Sequence, residues 1–429
     1  MAVGTAAIGA AIGGAPARAG MGAAIVPLLA LSVFINYVDR GNLATAAPLI
    51  KDQLHLSASA FGLLTSAFFW TYTPCQLLAG WLSERFHPYR VLAIGLAMWS
   101  LATAATGLVT GFTALLLLRV LLGLGESAAF PCSSKLIGKH LPAHRMGGAN
   151  AMVLLGTTLG PAFGVFFGGL VMAKVGWRPT FLMFGLASLL WLVPWFVATR
   201  RSPASRAAES VADAGDPQAP SFAAIIVRRE AWGAGFGHFC LNYAFYFLIS
   251  WMPLYLVKTR GFSMSHMAIV GGEIYLINAA SGIVLGWVND RLIAAGRSVT
   301  LVRKGFIATG FLIVAASFIA TALGDAQLAV AGLFVAGFGF GFIGASNFAN
   351  GQTLAGPHAA GKWMGFQNFI GNFAGIVCPL ITGWIVDATG SFSSAFAVAA
   401  AVSVAGIFSW CVVVRKIEPL AWPKTAARA

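Results

Sequence analysis

Twelve stretches of this chain stay apolar for about twenty residues or more, the length a helix needs to cross a bilayer. They fall at 22–48, 59–82, 89–109, 111–136, 146–172, 179–199, 231–257, 267–288, 302–323, 327–353, 361–386 and 391–414. Lipid offers the backbone no hydrogen-bonding partner, so such runs become helices whose polar groups are satisfied internally. The expected fold class is an all-α polytopic membrane protein of twelve transmembrane helices. Composition agrees: 58% of the residues are hydrophobic and only 9% are charged, against about 25% in soluble domains. The 51 glycines suit helices that approach closely in lipid.

The most polar stretch, "RRSPASRAAESVADAGDPQAPSFAAIIVRR" at 200–229, divides the spans six and six. The expected organisation is a disordered tail at 1–20, a six-helix half at 21–199, a linker at 200–229, a second six-helix half at 230–415 and a tail at 416–429. The start, "MAVGTAAIGAAIGGAPARAG", lacks the charged opening of a secretory signal. Of the 27 Lys and Arg, Arg40 and Arg119 lie within spans, and Lys51, Lys174, Arg178, Lys258 and Arg260 fall in loops on one side. The remaining twenty fall on the other. The positive-inside rule therefore puts both termini and the linker in the cytoplasm, in a bacterial inner membrane. The net charge of +14 reflects this loop bias and not a nucleic-acid surface.

A repeat supports the division. "GWLSERFHPYR" follows span 2 and "GWVNDRLIAAGR" follows span 8; "GTTLGPAFG" in span 5 corresponds loosely to "GNFAGIVCPLITG" in span 11. Two repeated halves are the layout of a secondary transporter with its site between them. Other classes lack their signatures. There is no Walker loop for ATP, no metal-ligand spacing, and the five cysteines stand singly in apolar runs. No enzyme constellation, cofactor or metal is expected, and no nucleic-acid partner. A repeated ring of charge or a filter sequence, as in a channel, is also missing.

Charges inside spans then carry the functional reading, because each costs roughly 2.5–3.5 kcal/mol at the centre of an inserting helix. Span 1 contains "NYVDRGNL", with Asp39 and Arg40 in succession. Neighbours on a helix point about 100° apart, so these two do not face each other. Span 4 contains "RVLLGLGESAAFP", with Arg119 and Glu126 two turns apart on one face, about 10.5 Å along the axis. Asp39 is the natural partner for Arg119. Pro131 should interrupt span 4 near its cytoplasmic end. Arg40 is the expected anchor of a substrate carboxylate, since a guanidinium fork matches it bidentately. A free carboxyl titrates near pH 4, and a neighbouring Arg favours its ionised form. An anion that occupies the Arg weakens that support, so anion entry promotes protonation, which is symport.

Four further stretches fix a resemblance: "YVDRGNLATAAPLI", "SAFFWTYTPCQLLAGWL", "YFLISWMPLYLVKTRGFS" and "GFQNFIGNFAGIVCPLITGWIVDATGSF". With the loop repeat and the span 4 motif they resemble the major facilitator superfamily. Within it they resemble the anion:cation symporters, which include bacterial galactonate, hexuronate and glucarate carriers. The resemblance implies Asp39 and Glu126 as proton acceptors, coupled through Arg119, with Arg40 on the substrate. It places Tyr37, Tyr72, Thr157 and Asn368 in the pocket; Asn372, one turn beyond Asn368, shares its face. Phe348 reads as pocket wall or packing. Thr157 and Phe348 stand where galactonate-type carriers have Gln and Trp, and Glu84 and His87-Pro88 depart from the usual loop residues. Glu84, Arg85, Asp290 and Arg291, at matching loop ends, are expected to act as conformational locks. The expected function is proton-coupled uptake of a small organic anion by a monomeric carrier, with protons and the lipid bilayer as its other partners. The alternatives are a proton antiporter that exports a drug or metabolite, suggested by "GTTLGPAFGVFFGG", and a receptor that binds without transport.

Overall fold

The computed structural model describes residues 15–141, 143–200 and 220–422; the side chains of 15–23, Glu84, 143, 144 and Arg200 are not described. Regular secondary structure among the described residues is entirely helical, with no strand. Among the described residues ten helices are long and apolar enough to cross a membrane. They are span 1 (Ala24–Leu54), span 3 (Pro88–Thr106), span 4 (Phe112–His140), span 5 (Arg145–Val175), span 6 (Trp177–Thr199), span 7 (Arg229–Thr259), span 8 (Met264–Ala294), span 9 (Val299–Leu323), the double element Ala326–Thr389, and span 12 (Ser393–Val413). The double element is spans 10 and 11 joined at Gly356, whose φ of +65° breaks the helix. Glycine adopts this angle without a Cβ penalty, and Pro357 then starts span 11 at its first turn, where no N–H is needed. Span 2 (Ala58–Arg85) is 28 residues long and completes the twelve.

Several expected boundaries shift. The helix of span 1 begins at Ala15, inside the stretch expected to be a tail. Within 200–229 a short helix forms at Phe222–Ile226, and Pro220 accepts a hydrogen bond from Lys362 at 2.8 Å. Residues 416–422 are docked. The Ile417 N–H donates to Thr300, Leu420 N–H to the Leu354 carbonyl and the Trp422 indole to the Ala355 carbonyl. The remaining parts of the expected tails and linker, 1–14, 201–219 and 423–429, lie outside the described residues.

Small residues set the position of span 1. Gly156, Gly160 and Gly164 recur every four residues on span 5 and face span 1, with Gly168 against Asn42 one turn on. A Cβ at Gly160 would sit 2.6 Å from Tyr37 Cβ and 2.8 Å from the Phe34 carbonyl, and one at Gly164 would sit 2.7 Å from the Val38 carbonyl. The two backbones are in contact, as small-residue stripes permit, and this seats Tyr37, Asp39 and Arg40. Gly160→Val should destabilise the protein by about 1–3 kcal/mol through overpacking. The check is the melting temperature of the detergent-purified variant; an unchanged value would mean span 1 can move aside freely.

Contacts between spans 1–6 and spans 7–12 concentrate at the Lys/Arg-poor end of the bundle. The Asp387 carboxylate at the end of span 11 accepts from the Ala58 N–H at 2.8 Å and the Ser59 N–H at 2.7 Å, capping span 2. These are two of the donors a helix start leaves unpaired, and a negative charge there is favoured. Lys258 pairs with Asp52 at 2.6 Å. Ser66 donates to the Ile376 carbonyl at 3.1 Å, and Gly62 lies against the Pro379 carbonyl. Toward the other end, Gly80 of span 2 and Gly361 and Gly365 of span 11 have no neighbour where a Cβ would be.

Candidate functional site: a buried charged cavity

Span 4 breaks where Pro131 denies a hydrogen bond to Ser127. The helix Phe112–Glu126 stops, a turn follows, and the chain resumes as Ala129–His140. The break falls directly after Glu126. Glycines on either side let neighbouring backbones close in: a Cβ on Gly123 would meet the Phe68 carbonyl of span 2, and one on Gly125 would lie 2.9 Å from the Gly95 carbonyl of span 3. Glu126 is fully buried, and Arg119, two turns back, is 7% exposed.

The ion pair differs from the expected one. Arg40 Nε donates to Glu126 Oε2 at 3.0 Å, with both side chains buried. Arg119 has no carboxylate within 4.0 Å among the described residues and rests over the Phe68 ring at 5.2 Å. The Asp39 carboxylate is 2% exposed, and neither oxygen makes a well-formed hydrogen bond. Its electrostatic neighbours are Glu126, Thr103 and Arg119. The successive positions of Asp39 and Arg40 explain the choice: separated by about 100° on the helix, only one of them can face Glu126, and it is the arginine.

Three aromatic rings surround the Arg40 guanidinium: Tyr72 at 4.3 Å, Tyr37 at 4.5 Å and Phe68 at 4.8 Å from the ring centroids. Such contacts stabilise a desolvated cation by up to about 2 kcal/mol each. With Nε committed to Glu126, the two terminal nitrogens of Arg40 are buried without a partner. The Arg40 side chain borders a cavity that is in part continuous with solvent. Tyr37, Arg40 and Arg119 line it from spans 1 and 4. Span 2 adds Thr65, Phe68 and Phe69, and span 7 adds Phe245, Tyr246, Ile249 and Ser250. The site thus combines two cations, one carboxylate paired with Arg40, a second carboxylate outside any ion pair and largely apolar walls.

The other expected residues are distributed around this centre. Tyr246 donates to Asn372 Oδ1 at 2.9 Å, Asn372 donates to the Asn368 carbonyl at 2.9 Å, and Asn368 donates to Gln76 Oε1 of span 2 at 2.9 Å. This chain crosses between spans 2, 7 and 11 on the Lys/Arg-rich side of the cavity. Thr157 turns its hydroxyl back onto the Leu154 carbonyl at 2.7 Å, and Phe348 packs edge-on against His238 with centroids 5.1 Å apart; neither lines the cavity. Arg85 lies over Trp81 at 5.8 Å and Arg291 over Trp287 at 4.0 Å, each on its own span. The charge of Asp290 faces Arg303. The Glu84 side chain lies outside the described residues. No cluster of three His, Cys, Asp or Glu among the described residues could hold a metal ion.

Phe245, Tyr246, Ile249, Ser250 and Gln76 were not singled out in the sequence. Helical spacing carries a signal for them: 245, 246, 249 and 250 form one face of span 7, as 65, 68, 69, 72 and 76 do on span 2. What marks that face as a cavity wall is its orientation toward Arg40, which spacing does not reveal.

A helical membrane bundle whose two halves meet at one end, with a charged cavity between them, has the layout of a carrier. The chain belongs to the major facilitator superfamily, whose family model matches residues 29–377. It is a transporter and not an enzyme. Among its relatives are a hexuronate transporter of Bacillus subtilis, 30% identical over 92% of this chain and 94% of that protein. A probable sulfoacetate transporter of Cupriavidus necator is 29% identical over 88% and 90%, and a D-galactonate transporter of Escherichia coli is 26% identical over 91% and 95%. The fold is also that of a bacterial homologue of the lysosomal transporter Spinster, solved in an inward-facing and occupied conformation. The TM-score is 0.78 at 18% identity, over 91% of this chain and 96% of that one.

Proposed function

We propose that this protein takes up a small organic anion together with protons by alternating access. Two six-helix halves, 21–199 and 230–415, would move against each other about the cavity. It would do so in a bacterial inner membrane, with both termini and the 200–229 linker in the cytoplasm. The observation that carries this reading is the buried Arg40–Glu126 ion pair at the cavity wall, beside Asp39 and Arg119, which form no ion pair among the described residues. Its relatives' named substrates are small organic anions, which supports the same class here.

The terminal nitrogens of Arg40 can receive a carboxylate in a bidentate fork. The bound negative charge offsets the arginine's field at Glu126, so the ionised carboxyl loses support and accepts a proton. Anion and proton then enter as a neutralised set, which lowers the penalty of moving charge through a low-dielectric interior. Asp39 is the second acceptor, with Arg119 holding the charge balance between it and Glu126. The seal by Asp387, Lys258 and Asp52 lies on the outside in this orientation. Among the described residues the Gln76–Asn368 hydrogen bond is then the side-chain crossing nearest the cytoplasm, and Arg85 and Arg291, the expected locks, make no ion pair there.

Asp39→Asn keeps shape and removes titration. In proteoliposomes with an imposed pH gradient it should abolish accumulation of the transported anion while the protein remains folded. Wild-type accumulation by this variant would sink the proton role of Asp39. Gradient-driven efflux by the unmodified protein would instead establish the exporter.

A further inference from the structure

We infer that the cavity selects a monocarboxylate with an apolar, ring-sized body carrying at most one or two hydroxyls, over a polyhydroxylated acid. The inference rests on the organic-anion reading above and narrows it.

The walls are the first argument. Besides its two arginines and the hydroxyl groups of Tyr37, Thr65, Tyr246 and Ser250, the cavity is faced by Leu43 and Ala44 of span 1, Phe68 and Phe69 of span 2, and Phe245 and Ile249 of span 7. The rings form a continuous surface: Phe68 to Phe69 at 4.9 Å, Phe68 to Tyr72 at 5.0 Å and Phe69 to Tyr246 at 4.7 Å between centroids. This surface joins the guanidinium of Arg40, whose nearest ring neighbours include two of its members. A carboxylate held on Arg40 therefore has its body directed along aromatic and aliphatic walls.

The second argument counts hydroxyl partners. Thr65 already donates its proton to the Phe61 and Gly62 carbonyls, at 3.1 and 2.9 Å. Tyr246 has committed its proton to Asn372. As neutral donors among the lining residues the hydroxyls of Tyr37 and Ser250 remain, neither with a hydrogen bond of its own; Thr65 and Tyr246 can only accept, and Arg119 offers a charged donor. An open-chain or cyclic sugar acid brings four or five hydroxyls into this space. Each one removed from water without a partner lowers affinity about five- to hundredfold. An aromatic or alicyclic acid brings few such groups and gains the burial of its ring against the Phe68, Phe69 and Phe245 faces.

The test uses the full chain, purified in detergent, with benzoate and phenylacetate on one side and gluconate and glucuronate on the other. Calorimetric Kd values should favour the aromatic acids by at least tenfold. Phe245→Leu removes one ring and keeps the wall apolar. It should weaken phenylacetate binding about fivefold or more and gluconate binding by a clearly smaller factor. Gluconate or glucuronate binding as tightly as the aromatic acids would overturn the inference and leave the organic-anion reading intact. If neither set binds to a folded protein that retains its helical signal, both readings fall. Equal loss of both acid types in Phe245→Leu would also overturn the inference, because the ring would then act only in packing.

Discussion

Arg40→Lys is expected to raise the Kd for the transported anion at least tenfold, about 1.4 kcal/mol or more, while the protein stays folded. Lysine keeps the positive charge, so the fully buried Glu126 retains a counter-ion. What disappears is the division of labour within one guanidinium. In the native side chain Nε holds Glu126 at 3.0 Å and the two terminal nitrogens stay available. An ammonium is a compact point charge without that planar fork, so it can serve the carboxylate of the protein or that of the ligand, and not both in the same geometry. It also loses flat packing between Tyr37, Phe68 and Tyr72. Direct binding with a radiolabelled anion measures the effect, and a Kd within about twofold of wild type would move the carboxylate site to Arg119.

Glu126→Gln should separate exchange from net uptake. A symporter returns empty only after its protons have left, and the empty carrier needs a negative partner for Arg40. Glutamine resembles the permanently protonated acid. The loaded carrier should still shuttle, so radiolabelled counterflow should persist near wild-type rates. Gradient-driven uptake in the same vesicles should fall at least tenfold, because an unpaired buried arginine is costly to carry across; breaking such a pair costs about 3–5 kcal/mol. Loss of both activities would give Glu126 a role in binding or folding. Retention of both would leave Asp39 as the sole acceptor. The contact sharpens the expectation beyond sequence spacing: Glu126 touches Arg40, the arginine proposed to hold the anion, so its protonation and the anion's arrival would act on one side chain.

The covalent order of residues made much of this legible. Apolar run length marks out the spans, because lipid forces each into a helix of bilayer length. Span 2 shows the limit of that signal: it spans 28 residues yet is not among the ten helices apolar enough to stand out, since Thr, Tyr and Gln on its cavity face lower its hydropathy. Asp39, Arg40, Arg119 and Glu126 stood out as a site for the same energetic reason, since charge in a span is tolerated only where something uses or neutralises it. Pro131 announced the break in span 4, and a steric rule located it beside Glu126.

The pairing of those charges was decided by tertiary structure. Sequence spacing allowed Arg119 to meet Asp39. The glycine stripe of span 5 sets how closely span 1 approaches and turns Arg40 toward Glu126 instead. The cavity walls, the Asp387 cap across to span 2 and the Gln76–Asn368 bond likewise join residues hundreds of positions apart. A helix's own periodicity fixes which residues share a face, while its rotation against its neighbours fixes what that face meets. In this protein the sequence alone determined the spans, the buried charges and the carrier class. Which arginine holds which acid, and what surrounds them, followed only from backbone contacts between helices distant in the chain.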